Sequence, residues 1–209
     1  MAQLPDPLSR RDRQRQTREA LIFAARRVFS EDGYHSASLD RIAREAGFSK
    51  GAVYSNFDGK PALFLAVMDR NLELAEIDLK DPFEAPTDPA STGRGAGERE
   101  GVPSEATQGF ALATLEFIAS AARDEVLAPQ MHERLGAVLD HYSEIAQQAR
   151  AEDETLPAAE VGRLLAALDQ GSGLLLLAGG VLPDRAVFND GMRRLLDPVR
   201  AAAMRADGP

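Results

Sequence analysis

Between Ser38 and Gly59 the chain specifies two short helices with almost nothing between them. Leu39, Ile42, Ala43 and Ala46 fall at i, i+3, i+4 and i+7, the spacing of one buried helical stripe, and Gly47 stops it. Ser38 stands where an N-cap hydroxyl accepts from an unpaired first-turn amide, and Asp40 suits the positive end of the helix. Ser49 can cap the next helix, Lys50 to Phe57, in which Val53 and Phe57 face inward and Asp58-Gly59 ends the run. Upstream, Leu21, Ala24, Ala25, Val28 and Phe29 form a longer stripe that closes by Gly33. Two short helices across a tight turn containing glycine, on a basic segment, make a helix-turn-helix pattern.

With Val53 and Phe57 inward, the third helix leaves Lys50, Gly51, Ala52, Tyr54, Ser55 and Asn56 facing out. A helix kept only for packing more often carries Glu and Lys there; small and hydrogen-bonding side chains instead permit close approach to another surface. Such a helix fits the major groove of DNA, and its N-terminal amides and dipole suit phosphates.

The run LDRIAREAGFSKGAVYSNFDGKPALF from Leu39 to Phe64, continued upstream by Ala24 to Phe29 and by Gly33-Tyr34, strongly resembles the N-terminal domain of the tetracycline-repressor (TetR) family. The resemblance covers residues 17 to 68. It implies an all-α homodimer, with a three-helix helix-turn-helix DNA-binding domain at 17–59 and a larger helical ligand-binding and dimerisation domain at 60–209. Each subunit would place its third helix in a major groove. Ser38, Ser49, Lys50, Gly51, Ala52, Tyr54, Asn56 and Lys60 occupy positions that touch DNA in this family.

Physically, Ser38, Tyr54 and Lys60 suit phosphates, which set register and affinity, while Lys50, Ala52 and Asn56 suit base edges. Simple capping is an equal reading for Ser38 and Ser49, and helix packing is a second reading for Tyr54. Ser55-Asn56 departs from the pair of aromatic or histidine residues frequent in the family, which bears on the operator sequence rather than on the mode of binding.

A net charge of −9 argues on its face against a nucleic-acid partner, but the average conceals a division. Residues 1–60 hold 11 Lys/Arg against 8 Asp/Glu, or +3; residues 61–209 hold 13 against 25, or −12. Arg10, Arg11, Arg13, Arg15 and Arg18 concentrate in the first stretch, where residues 1–16 read as a flexible basic arm, solvated or touching phosphates. The chain has no cysteine, which excludes disulfides and thiolate chemistry, and no apolar run of membrane-spanning length. Its start lacks the apolar core of a signal peptide, so a cytoplasmic protein without membrane contact is expected.

Beyond Lys60 a fourth helix accepts Pro61 in its first turn and buries Leu63, Phe64, Val67, Met68, Leu72 and Ala75. Residues 81–104, rich in proline, glycine and acids, read as a mobile connection. Helices follow over Thr107–Ala122, over Asp124–Arg150 with an interruption or bend near Pro129, over Pro157–Gly179, and over Asp184–Arg205 with a kink or break at Pro198. The resemblance makes the last two long helices a dimer interface, with Leu164, Leu168, Leu175, Met192, Leu195 and Val199 as candidates; Leu174 to Leu177 read equally as buried core.

An apolar effector pocket would draw on Phe110, Leu115, Phe117, Ile118, Met131, Leu135 and Tyr142. His132 and His141 are not at helical metal spacing, and neither a di-iron, a zincin nor a phosphate-loop motif is present, so no metal, cofactor or catalytic residue is expected. The function expected is a ligand-responsive transcriptional repressor on a palindromic operator. A helical interaction module that has lost DNA binding, and an enzyme on a helical bundle, are the other readings.

Overall fold

The structure is a computed structural model that describes residues 9–78, 105–179 and 185–206. Among these every regular element is a helix, as the apolar periods require. The chain divides into two compact units, Met1–Arg70 with Glu105–Leu127, and Asn71–Ser104 with Ala128–Pro209. The expected connection at 81–104 lies outside the described residues.

In the first unit, α1 spans Arg10–Ser36, α2 Leu39–Glu45, α3 Lys50–Tyr54, and α5 Glu105–Ala121, with the opening half of α4, Gly59–Asp78. The apolar period marks α1 only from Leu21, but the helix begins at Arg10 because Ser9 caps it, its hydroxyl accepting from the Asp12 amide at 3.1 Å. Residues 10–16 of the basic arm thus lie in its first turns. Gly33, at φ 76, breaks the helix before a last turn of Tyr34 to Ser36, a conformation open to glycine.

The core here is aromatic. Phe64 of α4 meets Phe29 at 4.8 Å between ring centroids and Phe117 at 4.7 Å, and Tyr34 stands edge-on to Phe117 at 5.0 Å. Leu21, Ile42, Val53, Leu63 and Val67 complete it, all fully buried. On α4, Met68 and Leu72 are only partly buried. Helix α5 lies close along α1: a Cβ on Gly109 would overlap the Ser30 carbonyl, standing 2.9 Å from its carbon.

Helix α3 ends at Tyr54, three residues sooner than the spacing predicts. Five residues are too few to be stable alone, and the following turn serves the core instead, carrying Phe57 inward to 5% exposure.

The second unit holds the closing part of α4, α6 (Leu127–Ala149) beyond its first residue, α7 (Ala158–Leu177), α8 (Arg185–Leu196) and α9 (Pro198–Ala206). Tyr142, Ala146 and Ala149 of α6, Val161, Leu165 and Ala166 of α7, Leu196 of α8 and Ala201 of α9 form its core. Pro129 does not bend α6, because it occupies the first turn, where no amide is needed. Ahead of it the Asp124 carboxylate accepts from the amides of Val126 and Leu127. The break expected at Pro198 is present: α8 stops at Leu196, and Asp197 caps α9 by accepting from the Arg200 amide at 2.8 Å.

Candidate nucleic-acid interface

Helix α3 is supported through α2 and from two sides of its own. On the α1–α2 side, Arg41 pairs with Glu31 and Asp32, and its Nε donates to Glu45 at 3.0 Å; Arg27 also pairs with Glu45. This knot of two cations and three carboxylates pairs both arginines within the protein and carries a net charge of −1, so it locks α2 onto α1 rather than attracting DNA. Sequence reasoning missed it, although Glu31-Asp32 ahead of Arg41-x-x-x-Glu45 was its signal.

On the opposite side Arg18 donates to the Asn56 carbonyl at 2.9 Å, with its guanidinium 4.2 Å from the centroid of the Phe57 ring. An arginine two residues past the basic arm therefore supports the turn after α3. From beneath, Val53 and Phe57 anchor α3 in the core.

These supports leave one face outward. Ser38, Ser49, Lys50, Gly51 and Tyr54 are exposed, Tyr54 to 56%, while Ala52, Asn56 and Lys60 are half-buried. Ser38 is a cap, its hydroxyl accepting from the Arg41 amide at 3.2 Å; Ser49 occupies the cap position of α3 without making the side-chain bond.

Lys50 reaches back to Asp40 at 2.9 Å, and that hydrogen bond holds its ammonium above the usual lysine range. Both partners are about half exposed, so the pair is worth little and gives way readily to another anion. Asn56 spends both amide protons internally, on the Ala52 carbonyl at 2.8 Å and the Ser55 hydroxyl at 3.3 Å.

Lys60 differs most from its sequence reading. Its ammonium donates to the carbonyls of Tyr34 and His35 at 2.9 Å and of Ala37 at 3.2 Å, and burial lowers its pKa. All three protons are taken, so a phosphate would have to displace a carbonyl.

The effector candidates divide between the two units. In the first unit Phe110 stacks on Phe64 at 5.6 Å and Phe117 is fully buried in the same cluster, whereas Ile118 is half-buried and Leu115 is 37% exposed. In the second unit Met131 and Tyr142 are buried and Leu135 is 47% exposed; the Tyr142 hydroxyl donates to Asp169 at 2.6 Å.

Of the interface candidates, Leu164, Leu168, Leu175, Leu195 and Val199 are exposed, and Met192 packs partly against its own core. Leu174 and Leu175 are more than half exposed, so neither belongs to a core within the chain. Among the described residues no cluster of His, Cys, Asp and Glu is grouped to hold a metal, and no helix is long and apolar enough to cross a membrane.

Residues 21–67 match the family described as bacterial regulatory proteins, tetR family. The transcriptional regulator UidR of Escherichia coli K12 is 38% identical over 68 residues, 32% of this chain and 35% of that protein. The transcriptional activator FasR of Mycolicibacterium smegmatis is 38% identical over 71 residues, 34% of this chain and 32% of that one. The matched segment spans about a third of the length of these curated relatives. A structure from Rhodococcus sp., assigned to the TetR-family transcriptional regulators, superposes with a TM-score of 0.62 over 92% of this chain and 98% of that one, at 18% identity, which shows a shared fold.

Proposed function

The chain belongs to the tetR family of bacterial regulatory proteins, and on that premise we propose that it is a homodimeric, ligand-responsive transcriptional repressor in the cytoplasm, reading a palindromic operator in double-stranded DNA. The observation that carries the reading is the outward face of α3. Lys50, Gly51 and Tyr54 are exposed on a helix whose other side is fixed by Val53, by Phe57 and by Arg18. Lys50 and Ala52 face base edges, Ser38, Ser49 and Tyr54 lie beside phosphates, and Gly51 allows close backbone approach.

The exposed leucines support the dimer. Leu164, Leu168 and Leu175 lie on one face of α7 at i, i+4 and i+11 and are 49%, 39% and 58% exposed, an apolar strip fit for a second copy. Two readers related by a two-fold axis would meet half-sites about 34 Å apart, or a multiple of that. A small, largely apolar effector bound by the helical body would act by differential affinity, favouring an arrangement in which the two readers are mis-spaced.

The test is a titration of DNA, selected from a random or genomic pool, at several salt concentrations. Phosphate-led binding requires affinity to fall steeply as salt rises. A flat dependence, or no selected DNA at all, contradicts the reading and favours an interaction module that has kept the fold without the DNA.

A further inference from the structure

The segment between α1 and α2 is short, and both kinds of its backbone group are taken by side chains from other helices. Past the break at Gly33, the His35 amide is directed outside α1, to the carboxylate of Glu116 on α5 at 2.9 Å. The carbonyls of Tyr34, His35 and Ala37 all accept from Lys60 at the start of α4. The Ser120 hydroxyl, one turn beyond Glu116, lies 3.4 Å from the His35 ring. The Glu116 carboxylate is pressed against the joint: a Cβ on Gly33 would stand 2.7 Å from its Oε1. Directly after Ala37 comes Ser38, whose hydroxyl starts α2.

We propose that Glu116 is a positioning residue of the DNA reader: by holding the His35 amide it fixes the joint at residues 33–37, so that a displacement of α5 is felt at the Ser38 cap and hence in the angle of α2 and α3 on α1. The proposal rests on the DNA-binding reading above. It has a sign that a charge effect lacks. Removing a carboxylate from a DNA-binding unit lessens repulsion of phosphate and by itself tightens binding. Loss of positioning weakens it.

The experiment uses the full chain, a duplex that the wild-type protein selects from a random pool, and the variants Glu116→Ala and Glu116→Gln. Glutamine keeps a carbonyl that can accept from the His35 amide; alanine does not. Glu116→Ala is expected to bind about tenfold more weakly with an unchanged salt slope, and Glu116→Gln to stay within about twofold of wild type. Equal or tighter binding by Glu116→Ala, or equal losses in both variants, overturns the proposal.

Hydrogen exchange of the His35 amide in the wild-type protein decides the case even if Glu116→Ala does not fold. Protection that Glu116→Gln retains supports the joint; exchange at the rate of an open loop overturns it. Failure of the wild-type chain to select any duplex counts against the DNA-binding reading alone, because the exchange measurement reads the joint without DNA.

Discussion

Arg18 donates to the main-chain carbonyl of Asn56 at 2.9 Å, a bond across 38 residues of sequence that fastens α1 to the turn after α3. Arg18 is exposed and stands in the basic stretch, yet its guanidinium is engaged within the protein. Arg18→Ala should therefore weaken operator binding several-fold through loss of support for α3, with little change in the salt slope. Arg18→Lys should recover only part, since an ammonium lacks the planar fork. A full unit lost from the slope in Arg18→Ala would show instead that Arg18 neutralises a phosphate.

Lys50 and Asp40 form a competing pair beside the same face. Lys50→Ala should weaken binding and relax sequence preference at the base it faces, with the salt slope near wild type; a slope reduced by about 1 would show instead that Lys50 neutralises a phosphate. Asp40→Asn should tighten binding, because it frees Lys50 and removes a negative charge beside the reader. Equilibrium titrations of the two variants at matched salt check both, and weaker binding by Asp40→Asn would refute the competition.

Two glycines should respond oppositely to alanine. Gly109→Ala forces a methyl into the Ser30 backbone and should lower stability by roughly 1–3 kcal/mol, whereas Gly136, inside α6 with nothing within 4 Å of a built Cβ, should gain up to about 1 kcal/mol. Thermal unfolding of the two variants settles this, and a neutral Gly109→Ala would mean that α1 and α5 can separate at no cost.

Alkaline stability should depend on Tyr142. Burial first, then the Asp169 carboxylate, raises its pKa well above the ordinary tyrosine value, and burial raises that of Tyr34 as well. A raised pKa means that the folded form holds the proton more tightly. The stabilisation is complete below about pH 10, where the unfolded tyrosine titrates, and is lost as pH rises beyond it. Tyr142→Phe should make unfolding less steep in pH above that point, leaving the share due to Tyr34. Denaturation across pH 8 to about 11.5 measures it, and an unchanged slope would show that Tyr142 is as open to water as in the unfolded chain.

Leu168→Glu places a charge in the exposed strip of α7. The variant should keep its helix content but sediment as a monomer, and it should bind the palindromic operator much more weakly because the second reader is no longer tethered. Retention of a dimer would move the interface elsewhere.

Much of the reader was legible from spacing. The stripes at Leu21 to Phe29 and Leu39 to Ala46, the stop at Gly47 and the inward pair Val53 and Phe57 report local periodicity; burial follows it throughout the first stripe and at Ile42, Ala43, Val53 and Phe57, while Leu39 and Ala46 at the ends of the second are half-buried. The Ser38 cap was legible for the same reason: donor and acceptor lie three residues apart. The early end of α3 was not, because the turn carrying Phe57 answers to a core built from residues far along the chain. The body was less legible still. Leu164 and Leu165 are adjacent and equally apolar, yet one is half exposed and the other buried, and no one-dimensional pattern separates them.

The sequence by itself determined a set of helices with a helix-turn-helix near the front, because helical period, caps and glycine stops depend on residues within a turn or two of each other. Only the tertiary structure decided what the charged side chains do. Lys60 and Arg18, cations that suit phosphate on sequence grounds, are engaged with the backbone, and Glu116, unremarked in the sequence, holds the joint before α2. The reason is physical: a break in a helix leaves backbone groups whose partners come from whichever side chains the fold brings near, and sequence distance places no limit on those.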